Sequence, residues 1–299
     1  MHDFDYVAPT TLDEAIAALA KHDGQARCLA GGTDLIDQMR TGRRRPALVV
    51  DVKKIPELNA LVVSDDGLRL GAAVPCSDVY RNEGVAQDYA ALADAARIIG
   101  GIQIQNRASI GGNVCNSSPA ADSVPALIAL QAVCVIAGPN GPREVPIERF
   151  FTGPGGNVLE AGELLVELRM PPRPPRSGSH YRRFIPRNEM DIAVVGVGAS
   201  VQLEDDGRTV AAARIGLGAV APTPLLAEEA ARVLVGRSVD DEAALSDAAE
   251  AARAVIRPID DMRGTKAFRS HVTGVLVQRV VRAAAARARG ESLDYCPGH

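Results

Sequence analysis

Apolar residues at Leu12, Ala15, Ile16 and Leu19 recur at helical spacing behind a Thr11/Glu14 capping box, and Gly24 ends the pattern, which predicts a first helix. A different rhythm follows. Arg27 to Ala30 reads as a short strand, Gly31-Gly32 as a turn, Thr33 to Met39 as a short helix and Ala47 to Val52 as a second strand, together a strand-turn-helix-strand unit. Leu61 to Val63 and Leu68 to Ala73 flank Asp65-Asp66-Gly67, a hairpin signal, and the Ala-rich stretch Tyr89 to Ile99 is helical. Past a second glycine pair, Asp122 to Gln131 reads as a helix whose N-cap is Asp122. Val133 to Ala137 then reads as a buried strand and Glu163 to Met170 as a closing strand.

The periodicity breaks at Pro171-Pro172-Arg173-Pro174-Pro175-Arg176, where four prolines forbid regular structure. A second domain begins there. Ile192 to Leu203 and Val210 to Ala219 are apolar, glycine-spaced and joined across Asp205-Asp206-Gly207, as a hairpin should be. Helical patterns over Leu225 to Val235, Glu242 to Ile256 and Thr265 to Ala288 close the chain. In the last, Phe268, Val272, Val275 and Leu276 mark the expected buried face, and Arg269, Arg279 and Arg282 are expected in solvent.

The 299 residues allow two domains of ordinary size, and 46% hydrophobic content supplies a core for each. Net charge is −4 and aromatic residues are scarce, so neither electrostatics nor stacking favours nucleic acid. The first residues lack the basic start and apolar core of a signal peptide, and the longest apolar run, Val124 to Ala137, is interrupted by Pro125 and Gln131. A cytoplasmic protein without a membrane span is expected. Cysteines at 28, 76, 115, 134 and 296 form no C-x-x-C pair, and the five histidines form no H-x-x-x-H pattern. The cysteines read as reduced thiols, with Cys115 expected in packing, and no protein metal centre is expected.

The chemistry rests on the two glycine pairs, Ala30-Gly31-Gly32-Thr33-Asp34 and Ser109-Ile110-Gly111-Gly112-Asn113. Without a Cβ, glycine tolerates positive φ and lets several N–H groups converge on one anion, so such turns suit a phosphate. One Gly-Gly is ordinarily just a turn. Two, each after an apolar or β-leaning stretch and before a helix-compatible segment, point to a nucleotide cofactor.

These two stretches, the second continuing as Val114-Cys115-Asn116-Ser117-Ser118-Pro119-Ala120-Ala121-Asp122, resemble the flavin signatures of the FAD-binding medium subunits of molybdenum hydroxylases. The similarity runs from Phe4-Asp5-Tyr6 through Gly71-Ala72-Ala73-Val74 and Asp191-Ile192-Ala193 to Asp261-Met262-Arg263-Gly264. It implies an α+β fold. A two-lobed FAD domain of the vanillyl-alcohol oxidase (PCMH) type would span 1–176, with lobes of about 1–55 and 56–176, followed by a C-terminal domain at 177–290 with a three-stranded sheet and helices, and a tail at 291–299.

By the same resemblance Leu29, Ala30, Gly31, Gly32, Thr33, Asp34, Leu35 and Ile36 join Ser109, Ile110, Gly111, Gly112 and Asn113 in holding the FAD pyrophosphate. Ser118 and Asp122 correspond to polar residues near the ribityl and adenosine portions, and Leu165 to a contact near the isoalloxazine. Arg183 corresponds to a basic residue near the ring, with Arg182 and Arg187 as neighbouring alternatives. The implied role is electron transfer, with no catalytic side chain needed here. A large molybdenum-pterin subunit would oxidise substrate, and a small subunit with two [2Fe-2S] clusters would relay electrons to this chain's FAD, in a dimer of heterotrimers; the acceptor stays open among NAD, quinone, oxygen and a protein carrier. The Ser-Ser-Pro-Ala-Ala-Asp stretch resembles the xanthine dehydrogenase and heterocycle hydroxylase branch more than carbon monoxide dehydrogenase. The alternatives are a carbon monoxide dehydrogenase medium subunit, a self-contained FAD-dependent reductase of the same fold, and an assembly scaffold that has lost flavin.

Overall fold

The computed structural model describes residues 1–22 and 24–293, so Cys296 and positions 294–299 of the expected tail lie outside the described residues. Strands β1 (Asp5–Val7), β2 (Ala26–Leu29) and β3 (Leu48–Asp51) form a parallel sheet in the order β1-β3-β2, with helix α1 (Leu12–Lys21) packed beside it. Thr11 Oγ1 accepts from the Glu14 amide at 3.3 Å, which fixes the start of α1. The short helix α2 (Leu35–Arg40) connects β2 to β3, so the expected strand-turn-helix-strand unit is present. Its β2 strand is an edge.

The next strands, β4 (Leu61–Ser64), β5 (Gly67–Gly71), β6 (Val133–Gly138), β7 (Gly141–Pro146) and β10 (Leu164–Met170), make an antiparallel sheet ordered β4-β5-β10-β6-β7; between β7 and β10 lies a small hairpin, β8 (Phe151–Gly153) with β9 (Gly156–Asn157). The strand expected to close the unit is therefore its centre, buried on both faces, as its run of apolar residues requires. Between β5 and β6 the chain winds through α3 (Cys76–Arg81), α4 (Glu83–Asp88), α5 (Ala90–Ala96), α6 (Ile102–Gln105), α7 (Ile110–Cys115) and α8 (Ser123–Ala129).

Beyond the prolines, β11 (Ser177–Phe184), β12 (Val195–Leu203), β13 (Val210–Gly218) and the two-residue β14 (Leu225–Leu226) form one antiparallel sheet, three long strands and a stub. On one face lie α9 (Glu228–Arg232), α10 (Glu242–Val255) and α11 (Lys266–Ala288), which share an apolar core with it. The other face receives α8 of the preceding domain. It can do so because the glycine spacing of β12 and β13 leaves that surface flat: a Cβ at Gly198 or Gly216 would stand 2.4 Å from the Pro125 carbonyl oxygen, and one at Gly218 2.8 Å from the Pro125 ring.

Three expectations change here. Leu225 to Val235 is not one helix, because Leu225–Leu226 pair with Gly216 and Leu217 before α9 begins. Arg269 is buried rather than solvated: its guanidinium meets both carboxylate oxygens of Asp261 at 2.8 Å and the carbonyls of Val194 and Ala219 at 2.6 and 3.0 Å. Phe268, expected in the buried face, is 39% exposed and stacks edge-on against Phe184, since α11 turns the Arg269 side inward.

Gly198→Ala is expected to cost about 1–3 kcal/mol by forcing α8 off the sheet. Gly153→Ala, where a Cβ meets nothing within 4 Å, should stay within about 0.5 kcal/mol. Urea unfolding of both variants checks the difference.

Candidate functional site

The edge of β2 and the two glycine loops bound a cleft of about 650 Å³, within the size range of small-molecule and cofactor sites. One wall is β2 from Ala26 to Cys28 with Ala30 to Leu35; the facing wall is Ala108, Ser109, Gly111, Gly112, Asn113, Cys115 and Asn116; Gly155, Asn157 and Leu159 to Leu165 add to the rim and floor.

The loops touch backbone to backbone. A Cβ on Gly31 would stand 1.8 Å from the Arg107 carbonyl oxygen, and one on Gly111 2.5 Å from the Ala72 Cβ, so both positions demand glycine for packing before any ligand is considered. Gly32 has φ +77°, the left-handed turn that the strand-to-helix reversal needs. Among the described residues, the amides of Gly31, Gly32, Thr33 and Asp34 donate to no protein acceptor. A run of free N–H groups on a cleft wall is a cradle for an anion such as a pyrophosphate.

Polar side chains bridge the loops. Asn116 Nδ2 donates to Asp34 Oδ1 at 3.2 Å and its Oδ1 accepts from Gln38 at 3.0 Å, so one amide couples α2 to the end of α7. Burial, with Asp37 second, pushes the Asp34 carboxyl up from its usual range. Ser109 Oγ caps α7 by accepting from Gly112 N at 3.0 Å, and Asn113 Oδ1 accepts from the Ser123 amide and hydroxyl at 3.2 and 2.6 Å. Cys28 opens onto the cleft yet is crowded by protein, which raises its thiol to about 12. Cys115, expected first in packing and otherwise on the cofactor pocket, lines the cleft as well, and burial raises its thiol too.

Of the residues expected to contact flavin, Ala30, Gly31, Gly32, Thr33, Asp34, Leu35, Ser109, Gly111, Gly112, Asn113 and Leu165 line this cleft. Leu29 and Ile36 do not; their side chains flank Gly32 from behind. Ile110 is fully buried in the core, and Ser118 Oγ accepts from the Ala120 amide at 3.3 Å in the following turn. Asp122 and Arg183 lie off the lining and pair with each other: Arg183 Nη1 reaches Asp122 Oδ2 at 2.6 Å while Tyr181 donates to Oδ1 at 2.9 Å. Asp122 makes no cap hydrogen bond to α8, because its carboxylate turns to β11 instead. Cys28, Gln38, Cys115, Asn116 and Asn157 are cleft residues without an assigned role in the sequence reading; only the four-residue spacing of Asp34 and Gln38 hinted at a shared face.

Comparison with known proteins decides the family. Residues 2–173 match the family described as FAD binding domain in molybdopterin dehydrogenase, and 179–284 match the CO dehydrogenase flavoprotein C-terminal domain. This chain belongs to the FAD-binding medium subunits of the molybdenum hydroxylases. The FAD-binding subunit is 34% identical to the carbon monoxide dehydrogenase medium chain of Hydrogenophaga pseudoflava, over 95% of this chain and 98% of that one. It is 34% identical to the xanthine dehydrogenase FAD-binding subunit of Escherichia coli O157:H7, over 97% and 99%. Its fold superposes on a chain of Cu,Mo-CO dehydrogenase in a cyanide-inactivated form with a TM-score of 0.91 and 32% identity, covering 96% of this chain and 99% of that chain.

The buried Asp122 sets a pH dependence in the FAD-binding subunit. Desolvation raises its carboxyl from 3.8 to about 6 against the opposing pull of Arg183. The folded chain thus holds this proton more tightly than the unfolded chain, and the group's contribution to stability falls as pH rises from about 4 to about 6, then levels. Chemical denaturation across that window should show the slope in wild type and its loss in Asp122→Asn.

Proposed function

We propose that this chain holds one FAD in the cleft as the electron exit of a multi-subunit molybdenum hydroxylase. A partner with two [2Fe-2S] clusters would supply electrons, and a large molybdenum-pterin partner would oxidise the substrate. The observation that carries the reading is the row of free amides from Gly31 to Asp34 facing Gly111 and Gly112 across a cleft of cofactor size. FAD supplies one- and two-electron redox chemistry when bound. The chain's own share is binding and placement: Gly31 to Asp34 and Ser109 to Asn113 hold the pyrophosphate, Asp34 and Asn116 offer hydrogen-bonding groups to hydroxyls, and Leu165 gives an apolar surface.

No cleft residue forms a nucleophile–base pair, and among the described residues no His, Cys, Asp and Glu group is arranged to hold a metal. Substrate choice therefore belongs to the large partner, with the Ser117 to Asp122 stretch favouring a xanthine or heterocycle substrate. Assembly as a dimer of heterotrimers and a domain division at 176/177 complete the proposal. Among the described residues no helix is long and apolar enough to cross a membrane, and cytoplasmic residence is proposed on that basis together with the unpaired thiols at 28, 76, 115 and 134.

Gly112 provides a clean test, because it lines the cleft and a Cβ there meets only Ser109 Oγ, at 3.0 Å. Gly112→Leu should abolish flavin retention with an unchanged circular dichroism spectrum, whereas Gly111→Leu should unfold the loop against Ala72. Purified wild-type complex should contain molybdenum, iron and about one acid-releasable FAD per chain, this cleft setting the ratio. In a complex carrying Gly112→Leu, substrate should still bleach the iron–sulfur clusters in an anaerobic single turnover while steady-state transfer to the acceptor is lost. If cluster bleaching vanishes in a metal-replete complex, the exit role is wrong.

A further inference from the structure

An electron crosses between protein-bound groups only over a short gap, so a partner that feeds a flavin in the cleft has to seat against the cleft's rim. One part of that rim is apolar. Helix α6 turns Ile104 into the cleft and leaves Ile102 about half exposed on the outside. Beside α6 lies the segment that follows β11: a Cβ on Gly101 would stand 3.4 Å from Met190 Sδ. Asp191 ties that segment to the turn before α11, with its carboxylate 3.6 Å from Arg187 Nε and 3.7 Å from Arg263 Nε.

The side chains that these three segments leave outside are hydrophobic. Met190 and Ile192 are about half exposed, Met262 is 93% exposed, and the stacked Phe184 and Phe268 adjoin them. Two of the chain's five Phe and two of its five Met are thus placed at the surface beside one cleft. Apolar residues scattered singly over a surface need no explanation, whereas six converging from three segments mark a contact face. Met suits such a face, because its flexible, polarisable side chain adapts to what it meets. The charges on the same segments are spent internally, Asp191 on Arg187 and Arg263, and Asp261 on the buried Arg269. Elsewhere the cleft lining carries Arg27, Arg44, Glu160 and Glu163. Permanent subunit contacts have apolar centres rich in aromatic residues and Met, while transient ones are more polar, so the apolar rim suits a resident partner and the charged lining a visiting acceptor.

We propose that Ile102, Phe184, Met190, Ile192, Met262 and Phe268 form the docking face for the [2Fe-2S] partner. The proposal rests on the reading of this chain as the electron exit of a multi-subunit enzyme. It places the incoming electrons at the Ile104 side of the cleft.

A photo-cross-linking amino acid at position 262 of the assembled complex should, on illumination, join this chain to the iron–sulfur subunit. Ile192→Asp/Met262→Asp puts two charges into the face, and a tagged double variant should retain that subunit at least ten-fold less than wild type does, with an unchanged circular dichroism spectrum. Val235→Asp is the control: Val235 is also about half exposed but lies beside Val210, at the far end of β13 from Gly218, and its variant should assemble as wild type does. Should the double variant misfold, Met262→Asp alone, at the most exposed position, keeps the test. Cross-linking to the molybdenum subunit in its place, no cross-link at all, undiminished retention in a folded variant, or equal loss in Val235→Asp would overturn the docking face. A face-dependent complex that contains no flavin in wild type would support the face and overturn the flavin reading instead.

Discussion

The contact on which the cleft depends is the one between Gly31 and the Arg107 carbonyl, where the loop after β2 and the loop before α7 meet with no side chain between them. Because packed interiors adjust poorly to even one added carbon, that contact fixes the separation of the two walls. The free amides of Gly31 to Asp34 are held facing Gly111 and Gly112 as a consequence, and the Asn116 bridge to Asp34 and Gln38 keeps the two following helices in step. The glycines thus act twice, as packing positions and as the open backbone of an anion cradle.

The same device joins the domains. Helix α8 lies on β12 and β13 over a surface stripped of side chains by Gly198, Gly216 and Gly218. Across that seam run two charge pairs, the buried Asp122 with Arg183 and the part-buried Asp94 with Arg287, the latter through contacts of 2.6 and 2.9 Å. Such pairs contribute modest net stability but penalise any arrangement that leaves one partner alone, so they favour one docking geometry. Asp122 follows the second glycine loop by a few residues, and in this way the C-terminal domain holds the segment that carries the far wall of the cleft.

An electron-exit subunit needs a bound redox group in a defined place more than it needs reactive side chains. The cleft fits that requirement: its thiols are raised well above neutral and its lining is mostly backbone, amide and aliphatic groups. What discrimination it has is electrostatic and geometric.

Much of this was legible in the chain itself. Helical spacing and the Thr11 cap located α1, the Asp205-Asp206-Gly207 turn located the β12–β13 hairpin, and the two glycine pairs located the walls of the cleft, because each of these signals is local and physical. Tertiary structure alone decided the rest. Whether Glu163 to Met170 closes a sheet or centres it depends on strands far away in sequence, and so does the burial of Arg269 against the Val194 and Ala219 carbonyls. Asp122 reads as a helix cap by sequence position, but a guanidinium arriving from β11, sixty-one residues on, offers its carboxylate a charged partner in place of a backbone amide. Local sequence sets backbone preference and the pattern of burial; the partner of a buried charge is set by what the fold brings beside it.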